Sequence, residues 1–369
     1  AAELNKFATK TDELLKSVNE HDNTQKTPAY KNANQPDFKQ ADGTTADDTR
    51  NNAAKAAAAA YGEALNAAKD LLKNPAATQK QVNDALNNLN EKRKALDTYN
   101  TDTTKLAESV KKHGSTEGSA PTEGTQTSDA YRNASDHHFM KEEGGKLVPD
   151  TDKNAKAAAA KKAYDEALTK AQELLKKHGD KDTPQDAKPT QKDINEALKA
   201  LDDARTEIEK YKTDTSKLSE ESNKSTADGA AQPTAGSFEN SPEFKNAYDK
   251  KDGTNDNADV KAYKEALKKA RDLVKSATST DPNTKNSERP TQKQINDALD
   301  ALKQAKKAIT NGYKTDVDKL KQAKEYAEDV FKKTPEYKNA IAIKNDNNNA
   351  KHEQAGKDLG DVTNQTGFE

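Results

Sequence analysis

Residues 190–201 read TQKDINEALKAL, and closely similar blocks read TQKQVNDALNNL at 78–89 and TQKQINDALDAL at 291–302. Apolar residues recur in all three blocks at intervals of three or four positions, which places them on one face of a helix. This spacing predicts one amphipathic helix per block. The apolar positions are Val82, Ala85, Leu86, Leu89 and Leu96 in the first copy, Ile194, Ala197, Leu198, Leu201 and Ile208 in the second, and Ile295, Ala298, Leu299, Leu302 and Ile309 in the third.

A second block precedes each of these helices. It reads AYGEALNAAKDLL at 60–72, AYDEALTKAQELL at 163–175 and AYKEALKKARDLV at 262–274. Its apolar residues also form one narrow stripe at helical spacing, so we interpret the tyrosine that begins the stripe as a core residue. The stripe positions are Tyr61, Leu65, Ala68 and Leu72, then Tyr164, Leu168, Ala171 and Leu175, and finally Tyr263, Leu267, Ala270 and Val274.

A third block begins each unit of the repeat. It reads TDTTKL at 101–106, TDTSKL at 213–218 and TDVDKL at 315–320, and TKTDELL at 9–15 is a looser copy. We interpret it as the start of a first helix, followed by a long polar stretch and then by the other two helices. Such long stretches are either functional or disordered, so they are a candidate contact surface.

A short aromatic marker recurs four times within these polar stretches. It reads TPAYKNA at 27–33, SDAYRNA at 128–134, SPEFKNA at 241–247 and TPEYKNA at 334–340. One interpretation is that the aromatic ring caps the helical bundle while the asparagine bonds the local backbone. The other is that the marker is a repeated ligand contact. The candidate residues are Tyr30, Asn32, Tyr131, Asn133, Phe244, Asn246, Tyr337 and Asn339.

The order of these blocks divides the chain into three full units, at 1–100, 101–212 and 213–313, and a partial fourth unit at 314–369. A single amphipathic helix cannot bury its apolar stripe alone, whereas three helices can do so together. β-branched residues nowhere alternate over more than a few positions, so we expect no strand. The sequence therefore predicts an all-α fold of tandem three-helix bundles in an elongated rod.

The junctions between units allow two interpretations. No Gly or Pro occurs between Gln79 and His113 or between Gln191 and Ser225, so the last helix of one unit is predicted to continue into the next. Thr and Asp at 101–104 and 213–215 are poor helix-interior residues, which favours a break and a new helix start instead.

The starts of the third helices carry capping signals. A threonine occupies the N-cap position of each, and glutamine three residues later completes the capping-box pattern in two of them. In the remaining copy we expect the aspartate to interact with the positive end of the helix. The N-caps are Thr78, Thr190 and Thr291, and the third residues on are Gln81, Asp193 and Gln294.

Composition excludes several classes of function. The 61 basic residues nearly balance the 63 acidic ones and there is no Trp, so neither a phosphate-binding surface nor a base-stacking platform is expected. There is no Cys, which excludes disulfides and cysteine-ligated metal sites. No apolar run reaches about 18 residues, so no transmembrane segment is expected.

Catalytic and metal-binding motifs are also missing. The six His form no zinc spacing, and KDGTNDNAD at 251–259 fails the calcium-loop frame because Asn257 replaces the required glycine. We find no phosphate-binding glycine loop and no nucleophile elbow. We therefore expect a protein that is not an enzyme and has no cofactor or metal.

The paired AYxEAL and TQKxIN blocks resemble the FIVAR module, a helical repeat of Gram-positive surface proteins. The resemblance covers the second and third helices of all three units. It implies tandem three-helix bundles, extracellular display anchored to the wall through regions outside this sequence, and binding to host matrix or cell-surface components. No binding residue is carried over from the family, and the long stretch with the YKNA marker departs from its pattern.

Two functions follow as hypotheses. The first is an adhesin region that binds a host or matrix protein or glycan through many weak contacts, with avidity supplied by repetition. The second is a passive stalk that projects a separate binding domain from the cell wall. Either way we expect a monomeric rod. An intracellular coiled coil is less consistent with the sequence, because sustained heptads are absent.

Overall fold

A computed structural model of the protein describes residues 8–114, 122–144, 146–227, 230 and 232–345. The described part is predominantly helical, which confirms the predicted all-α class. The helices are α1 (Asp12–Asn19), α2 (His21–Thr24), α3 (Pro28–Asn34), α4 (Asp48–Leu72), α5 (Gln79–Leu96), α6 (Thr104–Lys111), α7 (Asp129–Asp136), α8 (Thr151–Gly179), α9 (Gln191–Ile208), α10 (Ser216–Asn223), α11 (Pro242–Asp249), α12 (Ala258–Ala277), α13 (Gln292–Gly312), α14 (Asp318–Glu325) and α15 (Pro335–Asn345); the strands are β1 (Met140–Glu143) and β2 (Lys146–Pro149).

Two compact units divide the described residues. The first comprises the part up to Ser222 together with Ala266–Leu302, and the second comprises Asn223–Glu265 and the part from Lys303 onward. The first two copies of the repeat lie in the first unit. The repeat boundaries derived from the sequence, and the arrangement of the repeats as a rod, stay predictions.

The first copy buries one narrow apolar core among α1, α4 and α5. A single cluster contains Leu14 of α1, Tyr61 and Leu65 of α4, and Val82 and Leu89 of α5. Each of these five side chains is at most 5% exposed. Helix α4 is rich in alanine, the best helix former, and its small side chains let the neighbouring helices pack closely. The predicted stripe therefore does form the core.

The second copy repeats this arrangement with α6, α8 and α9. Leu106, Tyr164, Ile194 and Leu201 are almost completely buried in one cluster. Their positions in the repeat match those of the first core. Equivalent side chains of α12 and α13 are buried as well, including Tyr263, which is 1% exposed.

The first helix of the fourth copy, α14, is more exposed than the first helices of the other copies. Leu320 of α14 is 54% exposed, whereas the equivalent Leu14, Leu106 and Leu218 are 0% exposed.

The predicted continuous helix at the junctions is wrong. Helix α5 ends at Leu96, a short 3-10 turn follows at 97–99, and α6 begins only at Thr104. The carboxylate of Asp102 accepts a hydrogen bond from the backbone N–H of Thr104 at 2.9 Å, and Asp214 does the same for Ser216. These local bonds compete with helical ones, so the interpretation with a break and a new helix start is correct.

The expectation that no strand occurs is also wrong. Strands β1 and β2 pair antiparallel, with Lys141 opposite Val148 and Glu142 opposite Leu147. Gly144 follows β1 with φ +57°, a conformation that glycine adopts without strain. The strands are four residues long and largely exposed, so they leave no alternating apolar pattern in the sequence.

Capping boxes begin the third helices as predicted. The backbone N–H of Thr78 donates to Gln81 Oε1 at 2.9 Å, and that of Thr291 donates to Gln294 Oε1 at 2.8 Å. Asp193 was expected to interact with the helix end without closing the box. Its Oδ2 instead accepts from the N–H of Thr190 at 2.8 Å, because a carboxylate reaches the same position as the longer amide.

Candidate functional site at the repeat junctions

The four markers form short helices rather than loops. These are α3, α7, α11 and α15, and in each the hydroxyl at the N-cap accepts a hydrogen bond from the backbone N–H of the aromatic residue. The cap therefore fixes the marker's aromatic ring and its asparagine on a defined helical turn. The pairs are Thr27 with Tyr30, Ser128 with Tyr131, Ser241 with Phe244, and Thr334 with Tyr337, at 3.1–3.2 Å.

At the first junction the side chain of Asn32 joins two copies of the repeat. Its Nδ2 donates to the carbonyl of Tyr99 and to the hydroxyl of Thr101, both at 3.0 Å. Its Oδ1 accepts from the backbone N–H of Gln191, the first residue of α9, at 2.8 Å. Asn32 is 1% exposed, and its bonds to Thr101 and Gln191 are buried.

At the second junction Asn133 makes the same set of bonds. Nδ2 donates to the carbonyl of Tyr211 and the hydroxyl of Thr213, both at 3.0 Å. Oδ1 accepts from the backbone N–H of Gln292 at 2.6 Å, and Asn133 is 1% exposed. We call the asparagine, the threonine, the glutamine and their bonds at each junction the asparagine clamp.

The glutamine of each clamp also binds the chain that begins the next copy. At the first junction Gln191 Oε1 accepts from the N–H of Asp102 at 2.8 Å, and Gln191 Nε2 donates to the carbonyl of the same residue at 3.2 Å. Gln292 and Asp214 repeat both bonds at the second junction. The side-chain amide thus satisfies a backbone donor and a backbone acceptor that the helix break leaves without helical partners.

The threonine of each clamp bonds the segment that precedes the third helix. Thr101 Oγ1 donates to the carbonyl of Pro189 at 2.9 Å, and Thr213 Oγ1 donates to that of Pro290 at 2.7 Å. Each proline directly precedes a capped helix. The clamp therefore links the start of a copy's first helix to the start of its third helix. It also links the marker of the preceding copy to both helix starts.

The interpretation that these asparagines bond the local backbone is wrong. Their partners lie 67 or more residues away along the chain, across the junction. Their amide atoms are engaged by the chain itself, which leaves the first two asparagines little capacity to contact a ligand. The clamp glutamine and threonine recur at fixed places in their blocks, and this recurrence is the signal by which the sequence could have identified them.

The second junction carries additional contacts. The Arg132 guanidinium donates to the carbonyls of Asn286 and Arg289 at 3.1 and 2.5 Å. Glu123 accepts from the N–H of Asn286 at 2.8 Å and from the hydroxyl of Ser287 at 2.6 Å, and the bond from Ser287 lowers its pKa. At the first junction Lys31 takes the place of Arg132 and makes a single bond, to the carbonyl of Asp186.

The marker's aromatic ring packs inside its own copy. Tyr30 lies edge-on to Tyr61 with 6.0 Å between ring centroids, and Tyr131 lies edge-on to Tyr164 at 5.9 Å. A histidine that the sequence analysis did not single out completes each group. Its Nδ1 lies 3.1 Å from the buried tyrosine hydroxyl, in the pairs His21 with Tyr61 and His113 with Tyr164.

The third and fourth markers have fewer partners. Asn246 Nδ2 donates to the carbonyl of Tyr313 at 2.9 Å and to Thr315 Oγ1 at 3.1 Å, but its side chain is only partly buried. Phe244 packs on Tyr263 with 5.5 Å between centroids. In the fourth marker Tyr337 contacts Phe331, and Asn339 is exposed.

Metal-binding clusters and membrane-spanning helices are absent from the described residues. No group of three or more His, Asp or Glu side chains there is placed to hold a metal ion. No helix in the described ranges is both long enough and apolar enough to cross a membrane. An open depression lies beside α7 and α8, lined by charged residues of both signs such as Lys161, Asp165 and Glu166.

Comparison with known proteins identifies one similarity. The sequence model of a family described as FIVAR domain matches residues 38–97, 144–209 and 243–310, more than half of the chain. The matched segments contain the second and third helices of each full copy, the part on which the sequence resemblance rests. No curated protein and no solved structure matches the chain.

Acid is predicted to destabilise the second copy through His113. Burial lowers the pKa of this imidazole, so the folded state holds it neutral while the unfolded chain protonates near its ordinary value of 6.5. Stability from this group is complete above that value and is lost as pH falls through the lowered folded pKa. The charged groups around it are Asp165, Arg205 and Lys161.

The test is urea unfolding of the wild type and of His113→Gln from pH 7.5 to pH 5. Glutamine retains a polar partner for Tyr164 but does not titrate, so the variant should lose less stability on acidification. The loop substitution His138→Gln serves as the control and should follow the wild type. Equal loss in all three proteins would contradict the prediction.

Removing a clamp asparagine is predicted to destabilise its junction. Asn133→Ala leaves the buried N–H of Gln292 without its acceptor, and a buried group that loses its partner costs about 1–3 kcal/mol. Asn339→Ala changes the same marker position where it is exposed, and should cost less than about 0.5 kcal/mol. Urea unfolding monitored by circular dichroism measures both, and similar values for the two variants would refute the assignment.

Proposed function

The chain belongs to the FIVAR domain family, and on that premise we propose that its repeats form a stiff spacer in the exposed part of a bacterial cell-surface protein. FIVAR domains are found in cell-surface proteins, and this chain is a repeat region of that type. We place the spacer outside the cell of a Gram-positive bacterium, anchored to the wall through other regions, and we assign it no catalytic role.

The asparagine clamp is the observation that carries this proposal. Asn32 and Asn133 occupy equivalent positions, are equally buried and make equivalent bonds at their junctions. A spacer transmits position only if successive repeats keep a defined orientation. Three hydrogen bonds from one side chain to two copies restrict rotation at the break between helices, which the backbone alone would leave free.

The distribution of charge agrees with a spacer. The helix surfaces carry many pairs of opposite charge four residues apart, such as Lys80 with Asp84 and Lys199 with Asp203. Such exposed pairs contribute little stability individually, but they keep the surface polar and without excess charge of either sign. A surface of this kind suits a segment that stays solvated along its length.

Stiffness across the first junction is testable because the chain has no Cys. Spin labels at Glu63→Cys on α4 and Lys170→Cys on α8, both exposed, report the distance between two copies. We expect one narrow distance distribution by pulsed electron resonance, broadened when Asn32→Ala is added. Labels at Glu63→Cys and Asn88→Cys lie within one copy and should be unaffected.

A broad distribution between the two copies in the wild type would exclude a stiff spacer. A narrow distribution that Asn32→Ala leaves unchanged would show that the clamp is not what orients the repeats.

The second candidate function is adhesion through weak repeated contacts. The observation in its favour is the open depression beside α8, where side chains of both charges lie together, among them the ion pair of Lys161 with Asp165 at 2.6 Å. A host matrix protein, cell-surface protein or glycan would be the partner, and avidity from several copies would offset weak single contacts.

Binding of the intact chain to surfaces coated with fibronectin, collagen or glycans distinguishes the spacer function from the adhesin function. A spacer should give no signal either as free protein or when displayed densely on beads. An adhesin should bind when displayed densely, and reversing the exposed charges with Lys162→Glu and Lys170→Glu should reduce that binding at least about tenfold, as for loss of about 1.4 kcal/mol. Asn88→Asp on the first copy serves as the charge control.

A further inference from the structure

A histidine lies against the buried tyrosine in each of the first two copies, and a serine takes its place in the third. His21, His113 and Ser225 each stand seven residues after the buried leucine of their first helix. His21 Nδ1 lies 3.1 Å from the hydroxyl of Tyr61, and His113 Nδ1 lies 3.1 Å from that of Tyr164. In two copies, therefore, the buried hydroxyl is paired with a side chain that titrates near neutral pH.

The same histidine contacts the marker helix. The ring of His113 lies edge-on to that of Tyr131, the aromatic residue of α7, with 6.0 Å between ring centroids. Two residues further along α7, Asn133 makes the second clamp. The first copy repeats the ring contact between His21 and Tyr30 of α3, also at 6.0 Å. One short helix thus connects each imidazole to a clamp.

Burial and nearby cations oppose protonation of His113. The charged groups that face it are Lys161 and Asp165 of α8 and Arg205 of α9. The carboxylate of Asp165 is already engaged, since it accepts from the Tyr131 hydroxyl at 2.9 Å and lies 2.6 Å from the Lys161 ammonium. Burial is the main reason that the pKa of His113 lies below its ordinary value; Asp165 raises this pKa, and Arg205 and Lys161 lower it.

The first copy places His21 in the same kind of surroundings. Lys69 of α4 and Arg93 of α5 face it, and Asp22 adjoins it in the chain. Burial again lowers the pKa of this imidazole most, the two cations lower it further and Asp22 raises it. Each imidazole therefore accepts a proton more readily when water replaces the protein around it.

The marker helix is the element whose displacement would hydrate the imidazole. Helices α8 and α9 have 29 and 18 residues and form the core of the second copy, whereas α7 has only 8. A protonated His113 has no acceptor for the Tyr164 hydroxyl, because both nitrogens of an imidazolium donate. Moving α7 would expose the charged ring to water and would withdraw Asn133 from the N–H of Gln292.

We propose that acid opens the asparagine clamps: protonation of His113 displaces α7 and releases the second clamp, and protonation of His21 displaces α3 and releases the first. The junctions are then stiff at neutral pH and loose in acid. In this respect the inference rests on the proposed spacer function. The opening is local, because the long helices of each copy keep their core.

The pH range follows from the two states of each histidine. The clamped state binds the proton weakly, whereas the released state binds it near the ordinary pKa of 6.5. The clamps should therefore be closed above pH 6.5 and should open progressively as pH falls below it. In the third copy the hydroxyl of Tyr263 lies 2.8 Å from that of Ser225, which does not titrate in this range.

Hydrogen exchange of the intact chain, followed by NMR, tests the proposal. The backbone N–H groups of Gln191 and Gln292 bond the clamp asparagines. Their protection factors, which correct for the pH dependence of intrinsic exchange, therefore report how often each clamp opens. Between pH 7.5 and pH 5.0 both protection factors should fall about fivefold or more. The N–H of Leu201, in the core of α9, should stay within about twofold.

Two variants separate the histidines. His113→Gln should abolish the fall at Gln292 but not at Gln191, and His21→Gln should do the reverse. Glutamine keeps a polar partner for the buried tyrosine but carries no charge, and circular dichroism verifies folding. Should a glutamine variant not fold, the serine variant of the same position replaces it, because the third copy carries serine there. His138→Gln is the control and should respond like the wild type.

Three results would overturn the inference: protection of the clamp amides that does not change with pH, protection at Leu201 that falls together with theirs, or glutamine variants that respond like the wild type. The spacer proposal is judged separately by the label distances at pH 7.5. A broad distribution there would refute the stiff spacer, and the exchange data would still decide whether acid opens the clamps.

Discussion

Burial of an amide side chain at each of the first two junctions is the constraint on which the relation between the neighbouring repeats there depends. Asn32 and Asn133 have two donor hydrogens and an acceptor oxygen in a place that water does not reach. An unpaired buried polar group costs more than a made hydrogen bond returns, so the asparagine remains buried only when both copies present their partners together. The clamp therefore acts more as a requirement for one geometry than as a source of stability.

The apolar cores stabilise the individual copies of the repeat. Each core is a thin layer of leucine, isoleucine, tyrosine and alanine between slender helices, as in the cluster around Tyr61 and Leu89. Such a layer holds one copy together. At the first junction, polar contacts and the buried side chain of Phe38, which is 2% exposed, join one copy to the next. The break after Leu96 exposes the backbone groups that the polar contacts use.

The sequence predicted the helices well because their apolar period is local and repeated three times. Tyr61, Ile194 and Leu201 are buried where the stripes place them. The junction was harder to predict because its bonds join residues such as Asn32 and Gln191 that lie far apart along the chain, and periodicity carries no information about such pairs. The hairpin at Met140–Pro149 was not predicted, for a different reason. Its strands are exposed and are held together by backbone pairing, which needs no particular side chains.

The copies of the repeat differ mainly in residues outside the clamp. Partners of the clamp keep their identity at the first two junctions, whereas groups outside it differ. His21 and His113 lie against the buried tyrosine in two copies. In the third copy the hydroxyl of Tyr263 donates to Glu239 and lies 2.8 Å from the hydroxyl of Ser225. A buried hydroxyl accepts several kinds of partner, since it can both donate and accept. At the first two junctions a backbone N–H at a helix start meets its acceptor in a neighbouring copy, an asparagine on a capped helical turn. The repeat can therefore change inside each copy and in its loops, whereas the clamp residues are the same at these two junctions.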